Sequence, residues 1–519
     1  MPPRERSRAL PSILLGGALA AALAVAVALP SAPAPAETAT SPSSTHSATP
    51  STTASDPGPA ATGIGDPYFP DHGNAGYDAT SYDIALAWDD GEITGTSTMK
   101  ATATTALSSF ALDLRLRARS VTVDGKRAKF EQTGEQDLVI TPTRPIAKGA
   151  TMTVRVTYGD RTSEPLRPHP DENPWYRTPT GELLLGQPHA AAWWFPANDH
   201  PRDRATMSVR LTVPKGLTAI SNGRLTKTTS SEDTTTWQWA ARDAMAPYLA
   251  FVAIGKYRVT EGEGKDGLPW LNAVEEGVTG AAATGLVKTP DVVAWLEDWI
   301  GPYPFEVTGG VVPDMRAGFA LETQTRPVYD PVFWGVGENN EILVHELAHQ
   351  WFGDSITVHS WADIWINEGF ATYAEWKWAE DQDRLTTEQS LARSWSVPSP
   401  STFWQLTIGD PGPERIFDRA VYERGAMTLA ALRRKVGDQT FERIVRTWAK
   451  ERAGDTATDD AFREHAAKVS GKDLDDFFTI WLDTPQRPEP TEAAGLEGIE
   501  RVPYPGSPPY GPEQDGDSN

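Results

Sequence analysis

Residues 345–354 read HELAHQWFGD, with two histidines four apart and a glutamate between them. On an α-helix that interval is about one turn, so His345 and His349 offer their imidazoles on one side. Two such nitrogens can fill two corners of a tetrahedral zinc site. Glu346 falls on the neighbouring face, able to act on a water at the metal without being a ligand. Taken alone, a pattern with three fixed positions recurs by chance in long chains, so a plain amphipathic helix fits these residues as well. A catalytic site also needs a third protein ligand and an open position. The chain contains no cysteine, which excludes thiolate zinc sites and disulfides. A third histidine six residues beyond His349 is excluded too, because Ser355 stands there. The segment WINEGFATYAEW supplies Glu368 instead, with 18 residues between it and His349. It lies among Trp and Ile, where burying an unpaired carboxylate is costly and a metal would offset that cost. Glu375 lies nearly two turns further along the same face. It could orient a ligand histidine from behind, or be a solvated helix carboxylate.

These side chains need elements to hold them. Residues 340–353 predict a helix, with Asn340 able to cap it, an apolar stripe through Ile342, Leu343, Leu347, Ala348 and Trp351, and Gly353 closing it. From Tyr82 to about Val259 the pattern is different: short alternating runs are separated by Asp89-Asp90-Gly91, Asp124-Gly125 and Asn222-Gly223, which predicts an all-β domain. After Asp291 the period becomes helical. The expected organisation is a multidomain α+β protein, with a β domain over 66–259 and a mainly helical catalytic domain over 260–483.

The flanks read differently. Residues 1–36 carry Arg4, Arg6 and Arg8, an apolar run and Ala34-Pro35-Ala36, the shape of a cleavable secretory signal. Residues 37–65 are rich in Ser, Thr, Pro and Ala, expected to form a disordered spacer, and 484–519 are expected to form a disordered tail. The expected product is secreted and has no membrane span once the signal is removed. A net charge of −23 over 519 residues argues against nucleic acid and anionic lipid as partners. His200, His359 and the cluster Trp361, Trp365, Trp376 and Trp378 read as hydrogen-bonding or core residues rather than ligands.

HELAHQWFGD followed at this spacing by WADIWINEGFATYAE resembles the gluzincin aminopeptidases of the aminopeptidase N and leukotriene hydrolase kind. GQPHAAAWWFPANDHPRDRATMSV, IGPYPFE and VYERGAMTLAALR are similar to further pieces of that family, and the likeness covers about residues 66–482. It implies a saddle-like β domain before a thermolysin-like catalytic domain, one Zn2+ per chain held by His345, His349 and Glu368, and peptide substrates with a free N-terminus. It further implies Glu346 as general base, Tyr422 as donor to the oxyanion, and Glu322 of GFALETQTRP as the residue binding the substrate's α-ammonium. Gly318 and Ala320 would then lie along the substrate, and Gln187 would be a second amine anchor. The departures are Phe319, Leu321 and Thr323 in the Gly-x-Met-Glu-Asn pattern and His189 where the family has a carboxylate or amide. They leave a zinc endopeptidase or another zinc hydrolase as one alternative, and a non-catalytic, zinc-stabilised surface protein as a second. The helical region ends at DLDDFFTIWL, where the family's catalytic domain ordinarily stops before its C-terminal helical domain.

Overall fold

The computed structural model describes residues 58–59, 62–166, 173–399, 401–500 and 502. The expected signal, most of the spacer and residues 503–519 lie outside these. Among the described residues no helix is long and apolar enough to cross a membrane.

The first half is built from β-strands. Strand Tyr77–Asp89 alternates buried and exposed positions along its length, as a sheet with one wet face requires. It pairs antiparallel with Glu92–Ala103 and parallel with Ala205–Pro214, at the centre of an eight-stranded mixed sheet. The Asp89-Asp90-Gly91 turn is a true hairpin, with Asp90 and Gly91 both in the left-handed region at φ 43° and 79°. Asn222-Gly223 is not one. It joins Thr218–Ile220 to Arg224–Ser230, which belong to two different sheets, and its polar groups turn outward to the second domain. Asn222 donates to the carbonyls of Leu249 and Gln324, and the Gly223 amide donates to Thr325 Oγ1. The buried Arg326 guanidinium then reaches back to the carbonyls of Ser221 and Gly223.

The helical half starts slightly earlier than the pattern suggested. Strand Tyr257–Glu263 is the outer strand of a five-stranded sheet continued by Pro269–Glu275, Thr308–Val312, Val328–Tyr329 and, at the far edge, Ala320–Leu321. The boundary therefore falls near Lys256 rather than after Val259, because Val259 already pairs with Ala273. The helices follow: α1 (Thr289–Trp299), α2 (Glu341–Ala348), α3 (Trp365–Asp381), α4 (Thr387–Trp395), α5 (Thr402–Gln405), α6 (Arg419–Val436), α7 (Asp438–Glu451), α8 (Asp459–Ser470) and α9 (Asp475–Phe478).

α3 is buried without interruption from Trp365 to Ala374 and packs on α6. The two helices meet at a pair of glycines, where a Cβ on Gly369 would lie 2.9 Å from the Gly425 Cα. Any side chain there would force the backbones apart, so glycine is required on both sides.

The expected tail from 484 is corrected by the structure. Within 484–500, Pro488 and the short run 494–496 are buried, Ala494 and Leu496 completely. Their composition is poor in large apolar groups, but cationic and indole donors from the helices hold their carbonyls. Arg424 donates to Thr484 O, Arg434 to Gly495 O and Trp481 Nε1 to Ala494 O. At the other end the expected spacer is also partly ordered, since Gly58–Pro59 pairs with the strand Leu107–Asp113.

Candidate metal centre

α2 carries His345 near its C-terminal end, and His349 is the residue that caps it. The start of α2 differs in detail from expectation. Asn340 makes no capping bond, and the Asn339 side chain lies 3.4 Å from the Ile342 amide instead. A capping box between Ser360 and Asp363 sets the turn that leads into α3, whose first turn carries Glu368.

The three expected ligands converge. Glu368 Oε2 lies 3.4 Å from His345 Nε2 and 3.4 Å from His349 Nε2, and one donor atom from each residue lies within 4.8 Å of the others. Both imidazoles are pinned from behind. His345 Nδ1 donates to Glu375 Oε1 at 2.7 Å, and His349 Nδ1 donates to the Phe352 carbonyl at 3.0 Å. With each Nδ1 committed to an acceptor, Nε2 is the nitrogen that faces Glu368 and that a metal would take. Of the two readings open for Glu375, its position behind a ligand is the one observed.

The electrostatics follow from packing three ionisable groups in a dry site. Burial pushes the His349 pKa down, but the Glu368 carboxylate more than reverses this and holds it at about 9. His345 is likewise raised against its burial by hydrogen bonds to Glu368 and Glu375. Burial pushes Glu368 up, and His349 and His345 together draw it down to about 2. A carboxylate kept ionised between two imidazole nitrogens is the donor set of a three-ligand zinc site with nitrogen and oxygen ligands, so the residues fit the ion. Glu346, also buried, is pushed up to about 8 by that burial, against the pull of both histidines.

Tyr422, in the first turns of α6, lies with its ring nearly parallel to His345 at 6.0 Å between centroids. Burial raises its pKa well above the usual phenol range, and Glu368, Glu322 and Glu346 raise it further, so it stays a neutral phenol.

The expected amine-binding residues also come together. Glu322 is buried, and its pKa is raised by that burial, opposed by His349 and reinforced by Glu368, which places its carboxylate in the field of the metal ligands. Gln187 Nε2 donates to Glu322 Oε1 at 3.0 Å. Ala320 lies on the edge strand of the five-stranded sheet, and the Gly318 amide, at φ 82°, donates to Asp330 Oδ2. His189 does not join them; its ring packs on His72 at 3.9 Å between centroids. His200 Nε2 is bonded to Asp66 and His359 Nδ1 lies 3.4 Å from Thr456 Oγ1, and among the described residues neither joins a group that could hold a metal.

Two residues of this site escaped the sequence reading. Gln350 follows a ligand directly, and its Nε2 donates to the Glu322 carbonyl while its Oε1 accepts from the Thr325 amide and the Tyr303 hydroxyl. Tyr248 donates from its hydroxyl to Glu322 Oε1 at 3.1 Å. Gln350 could have been flagged as a polar residue on a predicted buried helix. Tyr248 lies in an apolar stretch, APYLAFVAIG, and nothing there signals the contact.

Comparison with known proteins agrees with this geometry. Residues 78–249 match the peptidase M1 N-terminal domain and residues 336–481 match the peptidase family M1 domain. The aminopeptidase M1-B of Oryza sativa subsp. japonica is 25% identical over 424 residues, covering 74% of this chain and 47% of that protein. The aminopeptidase N of Lactococcus lactis subsp. lactis is 27% identical over 332 residues, covering 58% of this chain and 38% of that protein. The chain thus spans about half the length, or less, of these curated relatives. A mutant of the M1 zinc metallopeptidase of Deinococcus radiodurans superposes with a TM-score of 0.74 at 30% identity, covering 82% of this chain and 99% of that one. A form of the same enzyme bound to a Tyr-Ser-Ala substrate gives a TM-score of 0.76 at 29% identity, covering 85% of this chain and all of that one. The family and its zinc metallopeptidase neighbours indicate a zinc cofactor, and His345, His349 and Glu368 are the group among the described residues that could hold a metal ion. With a β domain and a helical domain that each match over most of their length, and with the ligand set in place, the chain belongs to the M1 family of zinc metallopeptidases.

Proposed function

We propose that this protein is an exported aminopeptidase that hydrolyses the N-terminal peptide bond of peptides, with Glu346 as its general base. The observation that carries the reading is the place of Glu322: a buried carboxylate, bonded to Gln187, in the field of the metal ligands. A negative group there is suited to a substrate's α-ammonium, and one anchored amine measures one residue to the bond cleaved.

A zinc ion held by His345, His349 and Glu368 supplies Lewis acidity toward a carbonyl and a water. Glu346, buried beside both histidines, takes a proton from the attacking water and delivers it to the departing amine. Tyr422 donates its phenolic hydrogen to the oxyanion that develops on the scissile carbonyl. The edge strand Ala320–Leu321 pairs with extended substrate, and Glu322 and Gln187 hold the terminal ammonium. The relatives named aminopeptidase, and the related metallopeptidase bound to a tripeptide, support this choice of substrate. Export rests on the Arg-led apolar segment at residues 1–36.

The test is a panel of aminoacyl fluorogenic amides with and without a chelator. Hydrolysis of free-amine substrates is expected, with loss on chelation, recovery with zinc, and no turnover of N-acetylated versions. Equal turnover of the acetylated substrates would overturn the exopeptidase reading. For export, the chain recovered outside the cytoplasm should begin near Glu37, and full-length chain confined to the cytoplasm would refute it.

A further inference from the structure

The Glu322 carboxylate is held by donors from across the domain boundary. Gln187 Nε2 and the Tyr248 hydroxyl, both in the β domain, converge on the same oxygen, Oε1, at 3.0 and 3.1 Å. From the catalytic side, Gln350 fixes the backbone carbonyl of Glu322 at 2.9 Å. With Oε1 doubly engaged and the backbone tied, the orientation of the carboxylate is set from both domains.

Tyr248 is itself fully buried and cannot swing aside. Its ring packs edge-on against Trp361 at 5.2 Å. The Trp361 amide in turn donates to Asp66 Oδ2 at 3.1 Å, and the same carboxylate binds His200 Nε2 at 3.0 Å. Asp66 therefore ties residues of both domains behind the Tyr248 ring. Burial and the nearby Glu322 keep the phenol protonated, so it acts only as a donor.

We propose that Tyr248 is a positioning residue of the amine pocket, which sets the orientation of Glu322 and so the recognition of a free N-terminus. The inference rests on the reading of Glu322 as the amine anchor. A hydrogen bond to a charged group is worth enough that its loss changes affinity roughly tenfold or more.

The experiment uses the zinc-loaded protein and calorimetric binding of two ligands that differ only in the α-amine, leucine hydroxamate and 4-methylpentanohydroxamic acid. Tyr248→Phe is expected to reduce the preference for the amine-bearing ligand about tenfold, while affinity for the amine-free ligand moves less than twofold. An unchanged preference, or an equal loss for both ligands, overturns the proposal. Glu322→Gln separates the two levels of inference. If it leaves the preference intact, the amine-anchor reading itself fails; if it abolishes the preference and Tyr248→Phe does not, the Tyr248 role alone fails.

Discussion

The candidate metal centre and the proposed amine pocket lie side by side but are built in opposite ways. Every group at the metal belongs to the catalytic domain: His345 and His349 come from α2 and its cap, Glu368 and Glu375 from α3, and Tyr422 from α6. The proposed amine pocket is assembled across a boundary, with Glu322 from one domain and Gln187 and Tyr248 from the other. A site held within one packed helical layer keeps its geometry as long as that layer is folded. A site shared by two domains also depends on how they dock. Catalytic power and substrate recognition should therefore be separable by mutation here.

The largest expected effect tests the metal side. Glu346→Gln should lower kcat by about a thousandfold, the loss of a general base, while metal analysis still finds one zinc per chain. Zinc loss in that variant would mean Glu346 is structural. Next, Tyr422→Phe should cost about a hundredfold in kcat with little change in KM, as expected of a donor used in the transition state. A change confined to KM would place the phenol on the ground-state substrate instead. Glu375→Gln should weaken zinc affinity roughly thirtyfold in a competitive chelator titration, since it supports His345 without touching the ion. Unaltered affinity would show that the packing of α2 on α3 suffices to orient the ring.

The smallest effect probes the boundary itself. Asn222→Ala removes the bonds to the Leu249 and Gln324 carbonyls and should raise KM for aminoacyl amides about fivefold. Zinc affinity should be unchanged. A matching loss of zinc would erase the contrast between the two regions.

The same division governs what could be read from the sequence. The metal ligands are legible because helical spacing converts directly into direction: four residues put His345 and His349 on one face, and seven put Glu375 on the face of Glu368. Glu322 and Gln187 were reached only through family resemblance, because their meeting depends on two domains coming together over 135 residues of separation. Tyr248 carried no local mark at all. Asn222-Gly223 misled for a related reason: as a dipeptide it is an ideal hairpin signal, but its amide and side chain are used between domains. The partly buried segment 484–500 was missed because composition counts apolar groups and does not register arginines elsewhere that bind its carbonyls.

The glycine contact between α3 and α6 bears on how this enzyme could be altered. Glu368 stands one residue before Gly369, and Tyr422 three before Gly425, so the metal ligand and the phenol are gauged from a single point of backbone touching backbone. Redesign for new substrates has room along the Ala320–Leu321 edge and the Tyr176–Phe319 ring pair, which can be rebuilt without disturbing that gauge. Widening the helix crossing by even one methyl group would reset both ends of the reaction at once.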